Sequence, residues 1–166
     1  MVCGVSVDIT ERKLFEERPA ERAYKDNLTG LFNMQYLTDN LLIPSQTPYH
    51  SLGAMILDIR SFKNINEAFG HEYGDQLLVA IVRKLKILAQ DKPILRVSGD
   101  RFLIVFDDIT IAEIEGFAKR IIKTFDEPLF IQEQSVQVNF KIGIALSTEN
   151  ERDLVQLLKD AEIALY

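Results

Sequence analysis

Residues 136 to 146 alternate without interruption. Val136, Val138, Phe140, Ile142, Ile144 and Leu146 share one side of an extended chain, and Gln137, Asn139, Lys141, Gly143 and Ala145 share the other. A period of two over this length fits a strand packed on one face only, which calls for antiparallel neighbours and a layer of helices over its apolar side. The segment before it supplies such a layer. Ile111, Ile114, Phe117, Ala118, Ile121, Ile122 and Phe125 recur at helical spacing and mark a helix with one buried stripe over 111–125.

The rest of the chain extends this pattern. MQYLTDNLL (34–42) reads as a short helix, and SLGAMILDI (51–59) is an apolar run of strand length. SFKNINEAF (61–69) and GDQLLVAIVRKLKILAQ (74–90) read as two helices, with Gly70 and Gly74 marking the break between them. Residues 94–97 and 102–106 are short apolar runs around Ser98, Gly99, Asp100 and Arg101, the composition of a hairpin turn. RDLVQLLKDAEIALY (152–166) closes the chain as an amphipathic helix. In order these give strand, helix, hairpin, helix, strand. That is an α+β fold with a split βαββαβ, ferredoxin-like core, helices on one face of the sheet, extra helices, and a C-terminal hairpin strand pair.

Composition narrows the class. A chain of 166 residues with 47% hydrophobic and 27% charged residues has the make-up of one soluble globular domain. A net charge of −6 without a basic block argues against nucleic acid as a partner. Cys3 is the single cysteine, so neither an internal disulfide nor a cysteine metal cluster is available, and a reducing, cytoplasmic setting is expected. No apolar run is long enough to span a bilayer, so no membrane contact is expected of this fragment, although a longer parent protein can be anchored elsewhere. Residues 1–25 read as a connector: an alternating start runs into a charge-rich stretch that Pro19 interrupts.

Candidate sites gather at strand and helix ends. Asp58 ends an apolar strand, where it can give one hard oxygen to magnesium or serve as a solvated strand end or helix cap. Asn66 and Asp75 flank the helix break. An amide and a carboxylate together complement a purine edge such as guanine, and they equally suit capping and turn chemistry. His71 reads as a turn residue, because His50 is the only other histidine and lies at no ligand spacing from it.

Five motifs, DNLTGLFN, LDIRSFKNINEAFGHEYGD, RVSGDRF, KIGIAL and DAEIALY, occur in this order from Asp26 to Tyr166. Together they resemble the GGDEF family, the diguanylate-cyclase-like domains of bacterial cyclic di-GMP signalling, with its nucleotidyl-cyclase palm. The opening VSVDITERK is similar to the last strand and signalling helix of a PAS sensor. The resemblance divides the chain into a sensor end and linker at 1–25 and a GGDEF domain at 26–166. The domain's C-terminal end is cut short of the basic residues that usually follow the ALY motif and grip a triphosphate.

Active members of the family condense two GTP molecules into cyclic di-GMP across a homodimer, using Mg2+ or Mn2+. By this resemblance Asp58 and Asp100 are metal ligands, Asp100 is also catalytic, and Asn66 and Asp75 read guanine. Phe62, Lys63 and Gly99 complete the substrate site. The chain departs from the family pattern at Ser98, where the signature has glycine, at Arg101, where it has glutamate, and at Arg60, where most members have aspartate. Residues 89–92 read Ala-Gln-Asp-Lys in place of the Arg-x-x-Asp product-inhibition motif, so feedback through that site is not expected.

Arginine for glutamate changes the local charge by about two units, and arginine does not shed its proton in a protein. Repulsion of a metal about 4 Å away is roughly 4 kcal/mol per unit charge at an effective dielectric near 20. If Arg101 faces the site, metal binding is weak or absent and synthesis is impaired, while triphosphate is still attracted. If it points outward along the hairpin, the site is unaffected. Three functions follow. One is a degenerate GGDEF domain that holds GTP and regulates a neighbouring EAL-type phosphodiesterase domain, a neighbour that the style of DEPLFIQEQSVQVNFKIGIAL favours. The others are an active diguanylate cyclase and a dimerisation module that binds no nucleotide.

Overall fold

The computed structural model describes residues 21–41, 51–147 and 154–166. The sensor-like opening, Cys3, Pro19 and His50 fall outside these residues. Four strands form the main sheet: β1 (Leu52–Ile59), β2 (Ile94–Ser98), β3 (Arg101–Asp107) and, after a separate two-stranded sheet of β4 (Leu129–Ile131) and β5 (Gln134–Val136), β6 (Phe140–Ser147). The order is β2-β3-β1-β6, with every neighbouring pair antiparallel. The split βαββαβ core and the separate strand pair both stand as expected. β1 lies between two strands and is apolar along almost its whole length because both of its faces are covered.

The helices are α1 (Met34–Tyr36), which runs into a π-helical turn at Leu37–Leu41, α2 (Phe62–Phe69), α3 (His71–Ala89), α4 (Ile111–Thr124) and α5 (Leu154–Leu165). α4 begins where its apolar stripe begins, fixed by a capping box. The Thr110 hydroxyl accepts from the Glu113 amide, and the Glu113 carboxylate accepts from the Thr110 amide at 2.8 Å.

Three expectations need correction. Helices cover both faces of the sheet. α3 and α4 bury Met55, Leu57, Phe102, Ile104 and Phe106 on one side, while α5 and Leu37 bury Ala54, Ile56, Leu103 and Val105 on the other. The alternating segment is not one strand packed on one side: β5 ends at Val136, β6 starts at Phe140, and Gly143 and Ala145 face α5. Their small size allows the approach, since a Cβ at Gly143 would run into the backbone carbonyl of Ala161. Finally, Gly70 alone breaks α2 from α3. Its φ of 90° is open to glycine at little cost, whereas Gly74 lies inside α3.

Candidate functional site

The hairpin loop is shorter than its polar composition implied, because Ser98 and Arg101 pair with each other and only Gly99 and Asp100 turn the chain. This register decides where Arg101 points. Asp58 and Arg101 are direct partners in the β1–β3 ladder, so their side chains leave the sheet on one face. It is the face that α5 covers, shared with Ala54, Ile56, Leu103 and Val105. There Arg101 Nε donates to Asp58 Oδ2 at 2.8 Å, and Nη2 donates to the Tyr166 hydroxyl at 2.7 Å. Hydrogen bonds to Tyr166 and Asp58 hold the guanidinium even more firmly protonated than usual. Arg101 is thus tied to Asp58 and Tyr166 on the α5 face, and it is not among the residues that line the cleft beside the hairpin.

The loop is pinned from two sides. Arg96 Nη2 donates to the Gly99 carbonyl at 2.7 Å, while its Nη1 reaches the Asp26 carboxylate at 3.1 Å. Asp26 also accepts from the Thr29 amide at 2.9 Å and the Thr29 hydroxyl at 2.6 Å. Burial pushes the Asp26 carboxyl up, but the bonds from Thr29 and Arg96 outweigh it and hold the group below the usual carboxylate range. On the other side, the Ile59 amide donates to the Asp100 carbonyl at 3.1 Å. DNLTG at the start of the domain and RVSGD at the hairpin are thus one polar unit.

Beside this loop lies a cleft of about 400 Å³ lined by Phe62, Lys63, Asn66, Glu67, His71, Gly99 and Asp100. Five of the residues expected at the site therefore meet in one place: Phe62, Lys63, Asn66, Gly99 and Asp100. Asp58 sits at the adjoining strand end. Asp75 is exposed and is not among the lining residues. Glu67 and His71 join the cleft, the latter as the first residue of α3. The Asn66 carboxamide packs against Gly74, where a Cβ would overlap Oδ1, and that buried Oδ1 has no hydrogen-bond partner within the protein.

The cleft has the chemistry of an anion site at one end. Ser61, in the left-handed region at φ 58°, makes no side-chain cap to α2, so the first amides of that helix carry unoffset positive character. Phe62 gives an apolar floor, and Asn66, Glu67, His71 and Asp100 give polar edges.

A divalent cation fits this arrangement poorly. Asp58, the strand-end carboxylate, already accepts a hydrogen bond from a fixed cation at 2.8 Å, which a metal would have to displace.

The profile of the GGDEF family, described as "Diguanylate cyclase, GGDEF domain", matches residues 23–166. Cyclic di-GMP phosphodiesterase PdeR of Escherichia coli is 33% identical over 100% of this chain and 25% of its own length. Signaling protein YkoW of Bacillus subtilis is 32% identical over 96% of this chain and 21% of its own. The chain thus spans about a quarter of these relatives. The coiled coil and GGDEF domain of DgcB from Caulobacter crescentus, solved in complex with c-di-GMP, superposes with a TM-score of 0.84 at 19% identity. The match covers 99% of this chain and 90% of that one, and is a likeness of fold. The GGDEF domain of PA1120 from Pseudomonas aeruginosa superposes at 0.76 with 27% identity, over 86% of each chain. Motif order, sheet topology and the matched span agree, and the chain belongs to the GGDEF domain family.

Proposed function

We propose that this chain is a GGDEF domain that holds GTP without condensing it efficiently and regulates a neighbouring phosphodiesterase domain of the EAL type. The carrying observation is the ion pair between Arg101 and Asp58 at 2.8 Å. Phosphoryl transfer in metal-dependent cyclases needs ions to offset charge on the attacking and leaving oxygens, and it needs carboxylates to hold those ions. Here one such carboxylate is neutralised by a guanidinium that keeps its proton. No condensation step is assigned to these residues.

Binding asks less of the site. The uncapped start of α2 and Lys63 suit phosphate oxygens, the Phe62 ring suits a base, and the Asn66 carboxamide suits a purine edge. Asp75, one residue past the glycine against which Asn66 packs, is close enough in sequence to join it once a base is bound. The relatives support the regulatory half of the reading. PdeR and PdeB of Shewanella oneidensis carry phosphodiesterase names, and this chain covers 25% and 18% of them. Residues 1–25 then form the sensor end and linker, and 26–166 the nucleotide-holding unit.

Labelled GTP titrated into the protein, followed by a product assay on the same sample, tests the reading. Saturable binding without cyclic di-GMP is expected. Rapid synthesis would establish a working cyclase, and the absence of binding would leave an interaction module. Arg101→Glu combined with Ser98→Gly should raise synthesis in a longer, dimer-forming protein. No gain would place the defect elsewhere, with Arg60 next.

A further inference from the structure

We propose that the outer face of α4 is a self-complementary surface on which a second copy of this chain docks, helix antiparallel to helix, as a two-fold dimer. The inference stands apart from the GTP-holding reading, because no residue that lines the cleft beside the hairpin belongs to α4.

Three observations carry it. Ile111 and Ile122, near opposite ends of α4, are 49% and 53% exposed, although the same helix buries its other large apolar side chains against the sheet. Between them, at helical spacing on the same stripe, lie Glu115 and Lys119, both exposed, and neither is in an ion pair among the described residues. Beside these two, Gly116 leaves open space, since a Cβ added there meets nothing within 4 Å.

A two-fold axis crossing α4 at the level of Gly116 answers all three at once. It sets Glu115 of each copy opposite Lys119 of the other and brings Ile111 of each copy to Ile122 of the other. The residue without a side chain then lies where the helices come closest. Acidic residues early and basic residues late suit the dipole of any single helix. That dipole gives no reason for an exposed isoleucine toward each end, and antiparallel pairing covers both. A helix of 14 residues is about 21 Å long, so the contact is at the small end of specific interfaces, and association in the range of about 10–100 μM is expected. The homodimer implied by the family resemblance joins two substrate sites, whereas this one uses a face that carries none of the cleft's lining.

Sedimentation equilibrium of the whole chain, at concentrations spanning that range, tests the inference. A monomer–dimer equilibrium that salt weakens is expected. Lys119→Glu and Glu115→Lys should each weaken it roughly tenfold, because two unlike pairs become two like ones. Glu115→Lys combined with Lys119→Glu should recover it, and so should an equal mixture of the two single variants, in which every facing pair is again unlike. Circular dichroism should show all of them folded, since both side chains are exposed. A protein that stays monomeric throughout overturns the inference. So does a dimer indifferent to the single reversals, or one that the combined reversal fails to recover.

Discussion

Replacing Gly143 by alanine adds one methyl group at the tightest contact between sheet and C-terminal helix. An ideal Cβ there meets the Ala161 carbonyl oxygen and, at 2.9 Å, the Leu165 amide nitrogen, both of them backbone atoms that no rotamer change can remove. α5 therefore has to move outward. The helix buries Leu154, Leu157 and Leu165 to 7% exposure or less, and three such side chains contribute roughly 6 kcal/mol by burial. A gap of about 0.5–1 Å forfeits a quarter to a half of the contact energy, or about 1.5–3 kcal/mol. Alanine returns roughly 0.5–1 kcal/mol by restricting the unfolded chain. The net loss is about 1–2 kcal/mol, which for a domain of this size lowers Tm by roughly 2–8 °C. Gly116→Ala is the control, because its added Cβ meets nothing within 4 Å and the position is helical. It should raise Tm. Thermal unfolding followed by circular dichroism decides the matter: if Gly143→Ala melts at or above the parent, the close approach of α5 is not what requires glycine there.

Gly74→Ala acts on the cleft, and its added methyl also comes within 3.2 Å of the tip of the Phe62 ring. The added methyl overlaps Asn66 Oδ1, the end of a side chain that can swing away, while alanine in a helix gains up to about 1 kcal/mol over glycine. Stability is expected to hold or rise, and GTP affinity to fall roughly tenfold; a titration with unchanged affinity would remove Asn66 from the site. Asp26→Asn tests the polar unit behind the hairpin. The Asp26 carboxyl is held below its ordinary range in the fold, so the folded state binds fewer protons than the unfolded one. Its contribution is present above the unfolded value, about 3.9, and disappears as pH falls through the lower folded value. Denaturant melts should show Asp26→Asn less stable by about 1–2 kcal/mol near neutrality, with the gap closing below about pH 4. A gap independent of pH would mean that the charge contributes nothing.

Periodicity disclosed the elements more readily than their surroundings. The stripe of α4 and the apolar run of β1 were legible because each pattern is imposed by the face it buries. The second helical layer was not, because Gly143 and Ala145 look like the idle side of a strand until α5 rests on them. The break between α2 and α3 was placed too broadly because two glycines four residues apart offer two breaks, and only the one with positive φ uses its freedom. At the site, motif order singled out Phe62, Lys63, Asn66, Gly99 and Asp100, which line the cleft, together with Asp58 and Asp75, which do not, and it passed over Glu67 and His71. It did not reveal that Asp26 and Arg96, 70 residues apart, lock the hairpin. Opposite charges in a sequence carry no register, and the sheet alone supplies it.

Arg101 shows why register matters more than residue type. At this ladder position any side chain confronts Asp58 directly. A carboxylate there sets two like charges opposite each other across neighbouring strands, which is destabilising by itself and becomes favourable when a cation lies between them. Arginine resolves the same conflict from within. It pairs with Asp58, ties the end of α5 through Tyr166, and leaves the strand pair stable with nothing bound. The physical trade is between a sheet end completed by an ion from solution, which can do metal chemistry, and one completed by its own side chain, whose carboxylate is already engaged. Changing Arg101 to glutamate should therefore cost stability in the absence of divalent cations and regain it when they are added.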